Sequence, residues 1–322
     1  MKTRNLRTAA LGALLTASLV ITGGAQAETR VTFKSAKTSS SYYQMSVQLA
    51  EAMKKGTDGA VIVTVEESQG SVQNVKEVTR RDGNYVFTTP PVLVKLAQKG
   101  LAMFKDKTDP KYDAIRALFP IPSLTMHFVV RADAGIESFA DMEGKTILLG
   151  KGSFGAREGA KYLKLFGLDG KVTLANVELN AAVSALKNKQ IDGFVTAGSF
   201  PAPNVIEAAA STGIKVLSLS ADQITKTKRT KLVIPAGTYQ GVDTAITTTS
   251  LPVIVHTTTA MDDDTAYTLT KTYWSQKSDL AQSAKWWDGV SPALLVNVHG
   301  KLHPGAVRYY DEAGVSIPDA LR

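Results

Sequence analysis

The chain has 322 residues, 37 Lys and Arg against 29 Asp and Glu, a formal net charge of +8, four His and no Cys. The lack of cysteine excludes disulfides, thiolate nucleophiles and thiolate metal sites. The basic residues are scattered and not clustered with aromatics, which argues against nucleic-acid binding; the positive balance suits an anionic ligand or an ordinary basic surface alike. Residues 1–27 read as a secretion signal: Lys2, Arg4 and Arg7 form a basic start, Thr8 to Ile21 carry no charge, and Ala25-Gln26-Ala27 is an A-x-A cleavage site. The apolar run falls short of the 18 or so residues that a membrane anchor requires. Without a twin-arginine pair the general export route is expected, and without a cysteine after the cleavage site no lipid anchor is expected. Cleavage after Ala27 leaves 295 residues and a net charge of +5, in a periplasm that permits disulfides without requiring them. That length predicts two domains.

In chain order, Val31 to Phe33 starts a strand and Lys34 to Ser41 is a small polar loop. Tyr42 to Lys55 has helical spacing, with Tyr43, Val47, Ala50 and Met53 near one face. Val61 to Val65 alternates as a strand; Gln69-Gly70-Ser71 is a turn, with Ser71 as N-cap of a helix from Val72 to Arg80. Tyr85 to Phe87 is a strand stopped by Pro90-Pro91, and Val92 to Lys99 is a helix. The apolar runs Ile115 to Phe119 and Met126 to Val130, parted by Pro120 and Pro122, mark passage into a second lobe. There, strands over 145–149, 172–177, 191–196 and 214–219 alternate with helices over 156–166, 181–189 and 203–210. Val253 to His256 reads as a return strand, and helices over 265–280 and 305–313 close the chain. Alternation of strand and helix gives an α/β fold with ligand loops at strand C-terminal ends.

The most informative segment is Gly150-Lys151-Gly152-Ser153-Phe154-Gly155. It follows an apolar strand and opens a helix. Glycines let backbone N–H groups approach a ligand, and a helix start favours an anion. The spacing matches the G-x-G-x-x-G dinucleotide fingerprint, and Glu178 stands where a ribose-binding acid belongs. As a nucleophile elbow the loop fails, because Lys151 occupies the position that needs glycine. Three readings remain: a dinucleotide loop in an exported oxidoreductase, a carboxylate cradle made by the amides of Ser153 to Ala156 with Lys151, and a plain strand–helix turn.

His127-Phe128-Val129-Val130-Arg131-Ala132-Asp133-Ala134-Gly135-Ile136, then Asp141, Gly144-Lys145, Gly150 and Gly155, resembles the TAXI family of TRAP transporter solute receptors. Gly70-Ser71-Val72-Gln73-Asn74 is similar to its Gly-Ser-x-x-Asn turn. Ala185-Leu186-Lys187 with Gln190 to Phe194, Ile234 to Tyr239, and Leu302 to Ala306 with Arg308-Tyr309-Tyr310 extend the resemblance in order. It implies a two-lobed α/β fold of the type 2 periplasmic-binding-protein kind, with two mixed sheets, flanking helices, a hinge and an interlobe cleft. The first lobe would comprise 28–122 and 252–322, the second 123–251. It also implies a monomeric, non-enzymatic receptor that catches a small carboxylate or amino acid for an ion-driven TRAP-type permease, with no cofactor, metal or nucleic acid. A receptor that signals to a membrane kinase is the same cleft put to another use.

Two segments depart from the family pattern: Lys34 to Ser41 replaces a glycine-rich loop, and Phe87-Thr88-Thr89-Pro90-Pro91 replaces a segment that tends to be acidic. The ligand residues expected are Lys37, Thr38, Ser39, Ser40, Ser41, Tyr42, Ser71, Thr88 and Thr89 from the first lobe. Ser153, Phe154, Gly155, Ala156 and Ser199 are expected from the second. Arg131 and the four histidines read as structural or surface groups, the histidines showing no metal-ligand spacing. Asp262-Asp263-Asp264 reads as an acidic helix start, and Trp286-Trp287 as packing of the first lobe.

Overall fold

The computed structural model describes residues 28–322; the secretion signal expected over 1–27 lies outside the described residues. The chain begins β1 (Thr29–Lys34), α1 (Ser41–Gly56), β2 (Val61–Glu66), α2 (Ser71–Glu77), β3 (Tyr85–Thr89), α3 (Pro91–Gln98) and β4 (Ile115–Arg131). It continues β5 (Thr146–Leu148), α4 (Phe154–Leu165), β6 (Thr173–Ala175), α5 (Ala182–Lys187), β7 (Gly193–Gly198), α6 (Pro203–Thr212) and β8 (Ile214–Val216). It ends α7 (Ala221–Thr227), β9 (Thr230–Ile234), β10 (Ile246–Thr258), α8 (Asp263–Ser275), α9 (Lys277–Ser283) and α10 (Pro304–Glu312).

The fold is α/β, with a mixed sheet flanked by helices. Strand order is β2-β1-β3-β10-β4-β7-β5-β6, with β8 on β4 and β9 on β10. Within each wing, β1, β2 and β3 are parallel, as are β5, β6 and β7. Hydrogen bonding therefore joins the two expected sheets through β4 and β10. Both long strands change partners at one place, where Ser250 pairs with Thr125. Up to Thr125, β4 pairs with β10, and from Thr125 to Val130 it pairs with β7. Before Ser250, β10 pairs with β9; beyond it, β10 runs between β3 and β4.

Pro120 and Pro122 do not break β4. The ladder to β10 shifts register between Leu251 and Val253, around Pro252, and a bulged ladder tolerates residues that lack an N–H. The proline carbonyls are used from outside the sheet: Tyr273 Oη donates to Pro120 at 2.9 Å and Tyr42 Oη to Pro122 at 3.0 Å. Alternation along β4 sends Phe128 and Val130 to one core and Val129 to the other, so the strand is buried on both faces.

Several local expectations change. The buried face of α1 is Tyr42, Met45, Ser46, Leu49, Ala52 and Met53, while Val47 is exposed. Ser71 is the first residue of α2, after Gly70 at φ 105°. The helix expected over 265–280 is two helices that meet at Gln276. Asp262 caps α8 by accepting the Thr265 N–H at 2.7 Å, with Asp263 and Asp264 in the first turn. Trp287 is fully buried, and both Trp286 and Trp287 donate to Gln48 Oε1 on α1. Arg131 is held by Asp133 at 2.8 Å, by Asp192 at 3.4 Å and by the Ile191 carbonyl.

His127 sits in a buried relay. The Ala202 N–H donates to Tyr239 Oη, so that hydroxyl donates to His127 Nε2 at 2.8 Å, and Nδ1–H donates to the Thr125 carbonyl at 3.1 Å. That assignment makes His127 neutral. Burial lowers its pKa to about 4, and lowers that of His256 to about 3. The unfolded chain takes up these protons near pH 6.5, before the folded chain does, so stability is full above that pH and falls as pH drops. Unfolding free energy by urea titration should fall measurably between about pH 6.5 and 4.5, above the carboxylate range. Flat stability across that window would contradict neutral burial of these rings.

Candidate functional site

The loops at the C-terminal ends of β1, β2, β5, β6 and β7 meet around a small enclosed cavity of about 40 Å³. The first wing supplies Ala36, Lys37, Ser40 and Tyr42, with Gln69, Gly70 and Ser71 from the turn into α2. Leu124 on β4 faces it, and the second wing supplies Ser153, Phe154, Gly155, Leu179 and Ala197. Two long helices, α1 and α4, thus begin on one space from opposite wings. Each brings first-turn N–H groups that have no acceptor within the helix, together with the positive end of its dipole.

Local chemistry sets these helix starts. Ser40 caps α1 by accepting the Tyr43 N–H at 3.3 Å, and Ser153 caps α4 by accepting the Ala156 N–H at 2.9 Å. The Ser153 N–H itself closes a turn onto the Gly150 carbonyl at 3.1 Å. Of the amides expected to bind a carboxylate, Ser153 and Ala156 are therefore engaged internally, which leaves those of Phe154 and Gly155. Gly150 and Gly152 both sit at φ 81°, a conformation that favours glycine. Gly155 serves packing instead: a Cβ there would stand 3.0 Å from Ala197 Cβ and 3.2 Å from its backbone nitrogen. Asn74, fully buried, anchors the facing loops by donating to the carbonyls of Ser35 and Thr88 and accepting from Ser68 Oγ.

An ion pair bridges the wings beside the cavity. Lys37 Nζ lies 2.7 Å from Glu178 Oε2 and 3.4 Å from Glu67, and Gln69 Nε2 donates to Glu178 Oε1 at 2.6 Å. Burial opposes the Lys37 charge, but Glu178 and Glu67 outweigh it and raise the ammonium pKa. The Lys37 hydrogen bond, then that of Gln69, holds the Glu178 carboxyl below its ordinary range. Glu178 was weighed from sequence only as a ribose acid; here its carboxylate is occupied by the opposite wing.

Of the residues expected from sequence, the cavity gathers Lys37, Ser40, Tyr42, Ser71, Ser153, Phe154 and Gly155. Thr38, Ser39, Ser41 and Ala156 flank it without lining it. Ser39 Oγ and Ser41 Oγ are buried without a hydrogen-bond partner, and Ser41 Oγ lies against Gly198 of the other wing. Thr88 and Thr89 are buried in β3 and turned to other partners: the Thr88 carbonyl accepts from Asn74, and Thr89 Oγ1 donates to the Pro90 carbonyl. Ser199 Oγ donates to the Ser123 carbonyl at 2.8 Å. Ala36, Gln69, Gly70, Leu124, Leu179 and Ala197 also line the cavity and are not among the residues expected from sequence. Ala36 lies in the Lys34 to Ser41 loop, Gln69 and Gly70 in the turn with Ser71, Leu179 beside Glu178 and Ala197 just before Ser199; only Leu124 stood near no signal.

A larger cavity, about 800 Å³, lies elsewhere. It is lined by Ser123, Thr125, Ser199 and Phe200 and by residues of 232–238 and 285–294. Leu124 faces the small cavity while Ser123 and Thr125 face the large one, so the two lie on opposite faces of β4. The large cavity is mainly apolar, and no α-helix starts on it. Both wings and charged side chains line both cavities, Lys285 and Asp288 on the large one and Lys37 on the small one, but only the small one gathers the N-terminal starts of two α-helices, and it is the candidate site.

The fold that carries this site is that of periplasmic binding proteins. The structure aligns with that of the periplasmic binding protein BugD at a TM-score of 0.57 and 13% identity, covering 90% of this chain and 99% of that one. An ancestral arginine-binding protein bound to arginine aligns at 0.50 and 14%, covering 82% and 100%. A sequence family described as NMT1-like matches residues 33–314. The chain belongs to the NMT1-like family.

Two variants test the geometry. Glu178→Gln should weaken the bridge between the wings and raise the radius of gyration in small-angle scattering. Wild type should expand in the same way as pH falls through the lowered Glu178 pKa, since the bridge exists only while Glu178 is ionised. An unchanged radius in both would show that the bridge does not hold the wings together. Gly155→Val should lower stability by about 1–3 kcal/mol in urea titration, because α4 must lift off β7.

Proposed function

We propose that the protein is an extracytoplasmic receptor that captures a small organic anion, a carboxylate or amino acid, between its two wings and delivers it to a membrane permease. The observation that carries this reading is the convergence of the α1 and α4 starts on one cavity beside Lys37. Phe154 and Gly155 amides on one side, and Ser41 and Tyr42 amides on the other, would hold a carboxylate. The unpartnered Ser39 and Ser41 hydroxyls add polar capacity. A cavity of about 40 Å³ has room for little more than a water molecule, so this conformation is closed and binding requires the wings to part. The wings then act as lobes: 28–122 with 252–322, and 123–251. The hinge lies where β4 and β10 change partners, and ligand shifts the equilibrium toward closure.

Binding proteins among the structural neighbours support receptor over enzyme, and the secretion signal read over 1–27 supports a periplasmic site. Among the described residues no helix is long and apolar enough to cross a membrane. Ordered motifs similar to those of TRAP-associated receptors favour an ion-driven permease as the recipient, with the receptor acting as a monomer.

A thermal-shift screen of monocarboxylates, dicarboxylates, keto acids and amino acids tests this reading. A true ligand at 100 times its dissociation constant should add about 2.7 kcal/mol of stability. Lys37→Met should weaken that ligand by about tenfold or more in calorimetry, as loss of a charged hydrogen bond predicts. Stabilisation by a nicotinamide dinucleotide and by no small anion would overturn the proposal in favour of the oxidoreductase.

A further inference from the structure

Next to the small cavity is an open recess of about 410 Å³ that both wings line. Lys76 and Arg80, four apart on α2 and the 3₁₀ turn after it, face Arg157 from the first turns of α4. None of the three makes an ion pair among the described residues. Glu77 is the one acid on the recess, and it is already engaged: it lies 3.1 Å from Arg81 and 3.5 Å from Lys34, and accepts from Gln73 Nε2 at 2.6 Å. Lys76 Nζ stands 6.0 Å from the centre of the Phe104 ring, and three cations thus line one space with no ion pair to any of them among the described residues. Burial, then the charges of Lys107 and Arg157, lower the Lys76 pKa, as expected where positive groups crowd together.

Gln69 connects this recess to the anion cradle. Its side chain lines both spaces, hydrogen-bonds Glu178 across the wings, and stands against Gly152, where a Cβ would sit 3.4 Å from Gln69 Oε1. Gly152 lines the recess and Ser153, the next residue, lines the cradle. A molecule anchored at the α1 and α4 starts therefore has, past Gln69, a neighbouring space lined by three cations.

We infer that this recess takes a second anionic group of the same solute, so that the substrate is a dianion: a dicarboxylate, or a carboxylate that also carries a phosphate or sulfonate. The inference rests on the anion-receptor reading above. Arg157 comes from the wing opposite Lys76 and Arg80, so the second anion is held fully only when the wings close. A monoanion fills the cradle and leaves the three cations unpaired; a dianion draws both wings together.

Calorimetry on the purified protein decides the matter, with acetate, butyrate and pentanoate set against succinate, glutarate, adipate and phosphoglycolate. At least one dianion should bind about 100-fold more tightly than the monocarboxylate of like length, the gain expected of charge-assisted hydrogen bonds. The double variant Lys76→Gln/Arg157→Gln should cut dianion affinity by about tenfold or more while leaving the monocarboxylates within about twofold. Equal binding of mono- and dianions, a preference that survives the double variant, or an equal loss for both classes each overturns the second subsite while the receptor reading stands. Binding of none of these anions overturns the second subsite, and the receptor reading falls with it only if the amino acids and keto acids of the thermal-shift screen fail as well.

Discussion

The pairing of β4 with β10 supports everything else. β3 and β9 hang on β10, β7 and β8 hang on β4, and the parallel strands of each wing follow from those. Both long strands exchange partners at Thr125 and Ser250, so the main-chain link between the wings is narrow. Nearby prolines thin the ladder, and buried tyrosine hydroxyls from α1 and α8 satisfy their carbonyls.

Besides a hydrophobic cluster that runs through both wings, an ion pair joins them beside the cavity. Glu178 is two-fifths exposed, and solvent screens an ion pair of that kind. The same contact has an electrostatic logic. Two helix starts that face one another place like partial charges together, and a nearby carboxylate offsets them. Glu178 supplies that carboxylate from within the chain, at the edge of a cradle suited to an external one. Competition between the two would let a solute anion exchange one closed arrangement for another, with Lys37 as the shared partner.

Much of this was legible in the sequence because it is local. Alternating apolar residues set most strands, and the glycine loop showed a helix start before any fold was known. Ser40 and Ser153 stand where small hydroxyl residues cap helices. The misreadings have physical causes. Pro120 and Pro122 look like a break, yet a bulged strand accommodates them. The face of α1 was assigned one residue out of phase because apolar residues occur on more than one side; the strands beneath it select Met45 and Leu49. The third glycine of the G-x-G-x-x-G pattern answers to Ala197 on β7, which is more than forty positions away in the chain.

By itself, then, the sequence determined the alternation of strands and helices and the tight strand-to-helix turn at Gly150 to Gly155. These follow from side-chain periodicity and from the conformations open to glycine and serine, which act over a few residues. Only the tertiary structure decided that β4 is one strand serving two wings and that Lys37 meets Glu178. It alone decided that Thr88 and Thr89 do not line the cavity and that Lys76, Arg80 and Arg157 share one space. Each depends on hydrogen bonds and charges brought together from distant parts of the chain, and strand pairing across the sheet, not local spacing, sets those distances.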